Sequence, residues 1–193
     1  MKERGLSYEE DLKAATECML KGGIILYPTD TVWGIGCDAR NENAVRRIYE
    51  LKRRADRKSM LVLTDSTASL EKLVDEIPEV AYELIEASDR PLTLIYDKAA
   101  GVAPNLIAPD GSLGVRITHE PFSRELCRRM KGAVVSTSAN ISGQPAPAVF
   151  KDISDEIKQG VDYVVNYRQD DNTSASPSHI IKLGKGGLFK ILR

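Results

Sequence analysis

The sequence predicts an α/β domain of the mixed, α+β kind, and three observations carry that prediction. Short runs of β-branched and aromatic residues alternate irregularly with amphipathic helical stretches, and the later apolar runs are separated by turns alone. The length of 193 residues suits one domain over 1–193, with ample chain for a core. Apolar content of 42% and charged content of 28% are those of an ordinary globular protein.

The elements follow in order. Ser7 can cap a helix whose first turn carries Glu9, Glu10 and Asp11, and Leu12, Ala15, Met19 and Leu20 recur at helical spacing before Gly22-Gly23 stops it. Ile24 to Tyr27 reads as a strand, interrupted by Pro28 and the small polar residues Thr29, Asp30 and Thr31. Asn41 suits the cap of a helix over Glu42 to Leu51 with Val45, Ile48 and Tyr49 on one face. Met60 to Thr64 reads as a strand and Asp65-Ser66 as a turn. Leu70 to Val74 and Pro78 to Ala87 read as helical, the second with proline in its first turn. Strands follow at Leu92 to Tyr96 and Gly114 to Ile117, then a helix at Phe122 to Met130 and a short strand at Ala133 to Ser136. A helix over Ser154 to Gln159 precedes strands at Tyr163 to Val165, Ile180 to Leu183 and Leu188 to Leu192. The polar tract RQDDNTSASPSH is the candidate for a mobile loop.

Several function classes fall away. A net charge of −1 confines any nucleic-acid surface to a local patch. No apolar run approaches the roughly 18 residues of a membrane span, and the N-terminal MKERGLSYEEDL is too polar for a signal peptide, so a cytoplasmic location is expected. Cys18, Cys37 and Cys127 are far apart with no CxxC spacing, and His119 and His179 are isolated, so neither a disulfide framework nor a metal site is expected. There is no GxxxxGK[ST], Gly34-Ile35-Gly36 lacks the third glycine of a dinucleotide fingerprint, and no GxSxG elbow occurs.

Two segments carry candidate chemistry. LKRRADRK places five cations between Lys52 and Lys58 after a helix end. Taken alone they read first as a solvated helix C-terminus, and otherwise as a clamp for phosphates and carboxylates. VVSTSANISGQPAP, residues 134–147, empties a buried strand into Ser136, Thr137, Ser138 and Asn140. Those residues either satisfy their own turn or hold phosphate oxygens without carrying charge.

The joint order of PTDTVWGIGCDA, Lys52-x-Arg54, PLTL, GVR, STSANISG and the terminal ILR resembles the YrdC/Sua5 family, the threonylcarbamoyl-AMP synthases of tRNA modification. The resemblance runs from about Glu9 to Arg193 and implies a stand-alone YrdC-like domain. The implied fold is a YrdC/RibB-like twisted mixed sheet, flanked by helices around a large positively charged cavity. The implied reaction is nucleotidyl transfer: L-threonine, bicarbonate and ATP with Mg²⁺ give threonylcarbamoyl-AMP and pyrophosphate. Such a reaction depends on placement and positive charge more than on a covalent nucleophile. By resemblance Thr31, Arg116, Ser136 and Ser178 contact threonine. Arg54, Lys58, Ser112, Ser138, Asn140 and Arg193 contact ATP, and Lys52 with Arg54 forms the catalytic clamp. A threonylcarbamoyl transferase complex and tRNA are the partners it suggests.

Departures from the family pattern sit around these positions. Trp33 replaces a tyrosine and would set a larger ring against the substrate. Ala55 replaces the proline after the KxR motif, and Lys58-Ser59-Met60 replaces KPL. SDRPLT replaces WPGPLT, Leu63 stands where some members carry a threonine-contacting histidine, Glu120 replaces a histidine, and Ser178-His179-Ile180-Ile181-Lys182 replaces STVVD. Altered surroundings at Trp33 and Leu63 would change the choice of amino acid. The same basic residues also admit an RNA-binding or ribosome-assembly module, a YciO-like paralogue, or a carbamoyl-phosphate or nucleotide-binding relative without synthase activity.

Overall fold

The computed structural model describes residues 6–54, 60–173 and 177–193, so Lys58 lies outside the described residues. Helix α1 (Tyr8–Leu20) begins with a reciprocal capping box, in which the Ser7 hydroxyl accepts from the Glu10 amide and the Glu10 carboxylate accepts from that of Ser7. Strand β1 (Ile25–Tyr27) turns through residues 28–33 into β2 (Gly34–Gly36), its antiparallel neighbour. Asn41 caps α2 (Glu42–Leu51) through its side-chain oxygen. Then come β3 (Leu61–Thr64), α3 (Thr67–Leu70), α4 (Glu79–Ala87), β4 (Leu92–Tyr96), β5 (Leu113–Ile117), α5 (Pro121–Met130) and β6 (Val134–Ser138). The chain closes with α6 (Asp155–Gly160), β7 (Tyr163–Val164), β8 (His179–Leu183) and β9 (Phe189–Ile191).

The strands form one mixed sheet in the order β7-β1-β2-β6-β3-β5-β4-β8-β9. The pairs β1/β7, β3/β5 and β4/β8 are parallel and the remaining pairs antiparallel. The mixed α/β class predicted from the sequence is the class observed. Helices α1 and α5 are joined by the Arg129–Glu9 ion pair and by an edge-on contact of Tyr8 with Phe122. The Asp11 carboxylate is buried and accepts from the Tyr163 hydroxyl and the amides of Asn166 and Tyr167, fastening α1 to the chain after β7. That partnership is a structural role beyond the helix-dipole one its position suggests.

Two expectations are corrected. The helix expected at Leu70 to Val74 starts earlier, because the Ser66 hydroxyl caps Thr67–Leu70, and Val74 instead bridges Ala99. Gly34–Gly36, unread as a strand, is β2. Two glycines weaken the β signal, but the packing requires one of them. The Tyr27 ring lies over Gly36 while its hydroxyl donates to the Val135 carbonyl at 2.9 Å. A Cβ at Gly36 would stand 2.6 Å from Tyr27 Cε1 and press on the Val135 carbonyl. Gly36→Ala is therefore expected to lose about 1–3 kcal/mol or more in urea denaturation, whereas Gly143→Ala, where a Cβ meets nothing within 4 Å, is limited to its backbone cost at φ +87°.

Candidate active site

The centre of the sheet carries a cavity of about 380 Å³. Its walls are the β1–β2 turn, the chain after α2, the facing strands β4, β5 and β6, and the residues flanking β8 and β9. Thr31, Arg54, Ser112, Arg116, Ser136, Ser138, Ser178 and Arg193 all line it. Three of these are arginines, and no described lining residue is acidic. A larger hollow of about 690 Å³ lies between α4 and the β8–β9 turn, lined by Glu76, Glu79, Glu83 and Asp97, and contains none of the predicted site residues.

Arg116 is the most constrained group of the wall. It is buried on β5, its Nε donates to Thr93 Oγ1 at 3.2 Å, and its Nη1 donates to Asp30 Oδ1 at 2.7 Å and to Thr31 Oγ1 at 3.0 Å. Nη2 reaches the Ser178 hydroxyl at 3.4 Å. The turn supplying Asp30 and Thr31 holds itself rigid: the Thr29 hydroxyl accepts from the Thr31 amide and donates to the Val32 carbonyl at 2.7 Å. Thr29 therefore has a folding role and Thr31 a place in the cavity. Asp30 Oδ2 is buried and finds no hydrogen-bond partner among the described residues.

Lys52 and Asn140 stand behind the wall. Arg53 adopts a left-handed backbone (φ 50°) just past α2 and pairs with Glu156 at 2.6 Å, so its neighbours Lys52 and Arg54 turn inward. The Lys52 ammonium is buried and donates to the carbonyls of Ser138 and Asn140, the latter at 2.5 Å, while its own carbonyl accepts from the Ser142 amide. The Asn140 amide donates to the carbonyls of Ile141 and Gln144. Neither residue is among those lining the cavity; both shape the turn that presents Ser138. Arg54 does line the cavity and reaches Thr137 Oγ1 at 3.4 Å. Burial, then the charge of Arg54, push the Lys52 pKa down to about 8, which leaves it cationic at neutral pH beneath two carbonyl acceptors.

The departures expected to touch substrate do other work. Trp33 is buried against Phe150, ring centroids 4.8 Å apart, and Leu63 is buried in β3; neither lines the cavity. Glu120 caps α5, accepting from the Ser123 amide at 2.7 Å, and burial raises its pKa. In the tract expected to be mobile, Arg168 pairs with Asp171 at 2.8 Å and Asp171 accepts from the Thr173 amide; residues 174–176 lie outside the described residues.

The family model Sua5/YciO/YrdC, described as "Telomere recombination", matches residues 17–193. The chain belongs to the Sua5/YciO/YrdC family. This Sua5/YciO/YrdC member is 33% identical over 184 residues to the threonylcarbamoyl-AMP synthase of Idiomarina loihiensis, covering 93% of this chain and 97% of that protein. It is 30% identical over 188 residues to that of Pseudoalteromonas translucida, covering 96% and 100%. Among solved structures it is similar to Pyrococcus abyssi Sua5 complexed with L-threonine, with a TM-score of 0.84 and 26% identity. That match covers 98% of this chain and 55% of Sua5, so the chain spans about half its length. The fold is also that of Escherichia coli YciO, with a TM-score of 0.82 at 21% identity, covering 98% and 90%.

Two expected outcomes test the buried cations. Lys52→Met leaves two carbonyls without their donor and is expected to lower stability by about 2–4 kcal/mol. The difference between parent and Lys52→Met should also grow as pH rises from about 8 towards 10.5, because the folded state releases the Lys52 proton first and the unfolded state holds more protons in that window. Denaturation at pH 7.5 and 9.5 reads both. Asp30→Ala removes one partner of a buried ion pair and should cost about 3 kcal/mol in the same measurement.

Proposed function

We propose that this protein is an L-threonylcarbamoyladenylate synthase, a nucleotidyltransferase that makes threonylcarbamoyl-AMP for the t6A modification of tRNA in the cytoplasm. The observation that carries the proposal is the convergence on one cavity of the amino-acid candidates Thr31, Arg116, Ser136 and Ser178 with the nucleotide candidates Arg54, Ser112, Ser138 and Arg193. Its volume of about 380 Å³ suits small molecules. Family membership, the names of the relatives and the L-threonine held by the Sua5 structure support the same reading.

The chemistry proceeds in two balanced steps. The threonine amine combines with bicarbonate, losing water, to form an N-carboxylate. One oxygen of that carbamate attacks the α-phosphorus of ATP, the bond to the β-phosphate bridging oxygen breaks, and pyrophosphate leaves. Arg116 holds the threonine carboxylate, with Thr31 and Ser178 fixing the guanidinium from either side. Arg54 and the Ser138 hydroxyl face the phosphates, where fixed positive charge favours the transferring group. Arg193 closes the nucleotide end, its Nε donating to the Ser178 carbonyl at 3.1 Å. Lys52 and Asn140 act by fixing the Ser138 turn.

Mg²⁺ fits as a passenger of the nucleotide. The described lining offers hydroxyls and no carboxylate, and no group of three His, Cys, Asp or Glu side chains comes together among the described residues. The ion's ligands would therefore be phosphate oxygens and water, its usual choice, and it would supply charge neutralisation there. The product would pass to a threonylcarbamoyl transferase acting on tRNA.

Purified protein with ATP, bicarbonate and each amino acid in turn should release pyrophosphate with threonine. Arg54→Ala should cut kcat/KM by about 10²–10³-fold, and Arg116→Lys should mainly raise KM for threonine, because an ammonium cannot make the four contacts that aim the guanidinium. Equal release with all amino acids, or none with any, would overturn the assignment.

A further inference from the structure

Arg168 stands in a backbone conformation that suits glycine better than arginine. Its φ of 65° lies in the left-handed region, and a side chain kept there at a cost is held by its contacts. The platform beneath it is firm. The amides of Asn166 and Tyr167 donate to the buried Asp11 carboxylate, and the Tyr167 ring stacks on Phe122 of α5, centroids 5.7 Å apart. From there Arg168 Nε and Nη2 both donate to Asp171 Oδ2, at 3.1 and 2.8 Å. Nη1 faces two acceptors, the Thr29 carbonyl at 3.4 Å and the buried Glu120 carboxylate at 3.5 Å. Glu120 is itself fixed as the cap of α5. The guanidinium thus ties the start of α5 to the β1–β2 turn. The cleft left among Arg168, Asp171 and that turn measures about 10 Å³, too small for a ligand. Thr31 lines both this cleft and the central cavity.

Taking the synthase reading above as its basis, we propose that Arg168 is a positioning residue of the amino-acid site, clamping the β1–β2 turn from behind so that Asp30 and Thr31 meet Arg116. Arg168 does not line the central cavity, so it acts through the turn and not on substrate. Thr29 is the link. Its carbonyl accepts from Arg168, while its hydroxyl accepts from the Thr31 amide and donates to the Val32 carbonyl. Asp30 and Thr31 then supply the two acceptors of Arg116 Nη1. A turn released at Thr29 leaves Arg116 with acceptors that wander, and a guanidinium aimed less well binds a carboxylate less tightly. Arg54 and Ser138 belong to the chain after α2 and to β6, at the other wall. Amino-acid binding therefore depends on the clamp, and phosphoryl transfer does not.

The test compares the full chain with Arg168→Gly and Arg168→Lys. Glycine removes the side chain yet suits the left-handed backbone, so a residue needed only for the bend loses nothing by the change. Two readouts are taken, threonine-dependent pyrophosphate release and amide hydrogen exchange at Thr31, whose N–H is held by the Thr29 hydroxyl. Arg168→Gly should raise KM for threonine by about 10-fold and leave kcat within about twofold. Arg168→Lys, which keeps one charged donor, should recover part of the loss. The Thr31 amide should exchange about 10-fold faster in the glycine variant, while the Val135 amide, bonded to the Cys37 carbonyl in β6, keeps its parental rate. Parental KM with parental exchange at Thr31, a fall in kcat at unchanged KM, or faster exchange at Val135 as well as Thr31 would overturn the proposal. If the parent releases no pyrophosphate with threonine, the synthase reading falls and the exchange rates alone decide the clamp: faster exchange confined to the turn upholds it, and parental exchange overturns it.

Discussion

The ammonium of Lys52 is the tie on which the site depends. It joins the C-terminal end of α2 to the turn after β6 by donating to two consecutive-but-one carbonyls, those of Ser138 and Asn140. The cation sits at the C-terminal end of α2, yet both of its acceptors belong to the end of β6 and the turn after it. Desolvation opposes keeping the charge, as the depressed pKa records, and the carbonyls offset it. Because the Lys52 carbonyl also holds the Ser142 amide, the helix end and the turn cannot shift independently. Arg54 and Ser138 are thereby set on one cavity wall before any ligand arrives, which is the preorganisation that a reaction driven by placement requires.

The opposite wall is also built on a buried cation. Arg116 is fixed by hydroxyls from three elements and by Asp30, so its fork is aimed without reference to substrate. Asp30 pairs with its charge, and the four contacts leave one Nη2 N–H for a ligand. The two walls meet because the sheet order sets β2, β6, β3, β5, β4 and β8 side by side, although the residues come from segments as distant as 31 and 193.

Much of this was legible in the sequence, and the misses share a cause. Caps at Ser7 and Asn41 and the amphipathic α2 are local signals, and they hold. The cavity residues were found through the joint order of short motifs, which fixes who is present but not which way a side chain points. Lys52 and Asn140 carry the motif yet face the turn, because their partners are backbone carbonyls 86 and 88 residues away or in their own loop. Trp33 and Leu63 looked like specificity positions and are core, Trp33 against Phe150 and Leu63 within β3, since depth of burial leaves no mark in a linear pattern. Asp11 read as a first-turn acid and Asp30 as part of an interrupted strand, and nothing more. Each gains its meaning only from groups the fold brings to it.

The last strand gives the Arg193 wall of the cavity an unusual anchor. Arg193 lines the cavity, yet it hangs from β8 by backbone bonds to Ile180 at the margin of the sheet, and β9 itself is exposed along its whole length with Leu188 and Ile191 open to solvent. Edge segments with so little packing open far more cheaply than the core. One wall of the pocket can thus come and go while the rest of the molecule remains folded, a side door whose hinge is the outermost pair of strands.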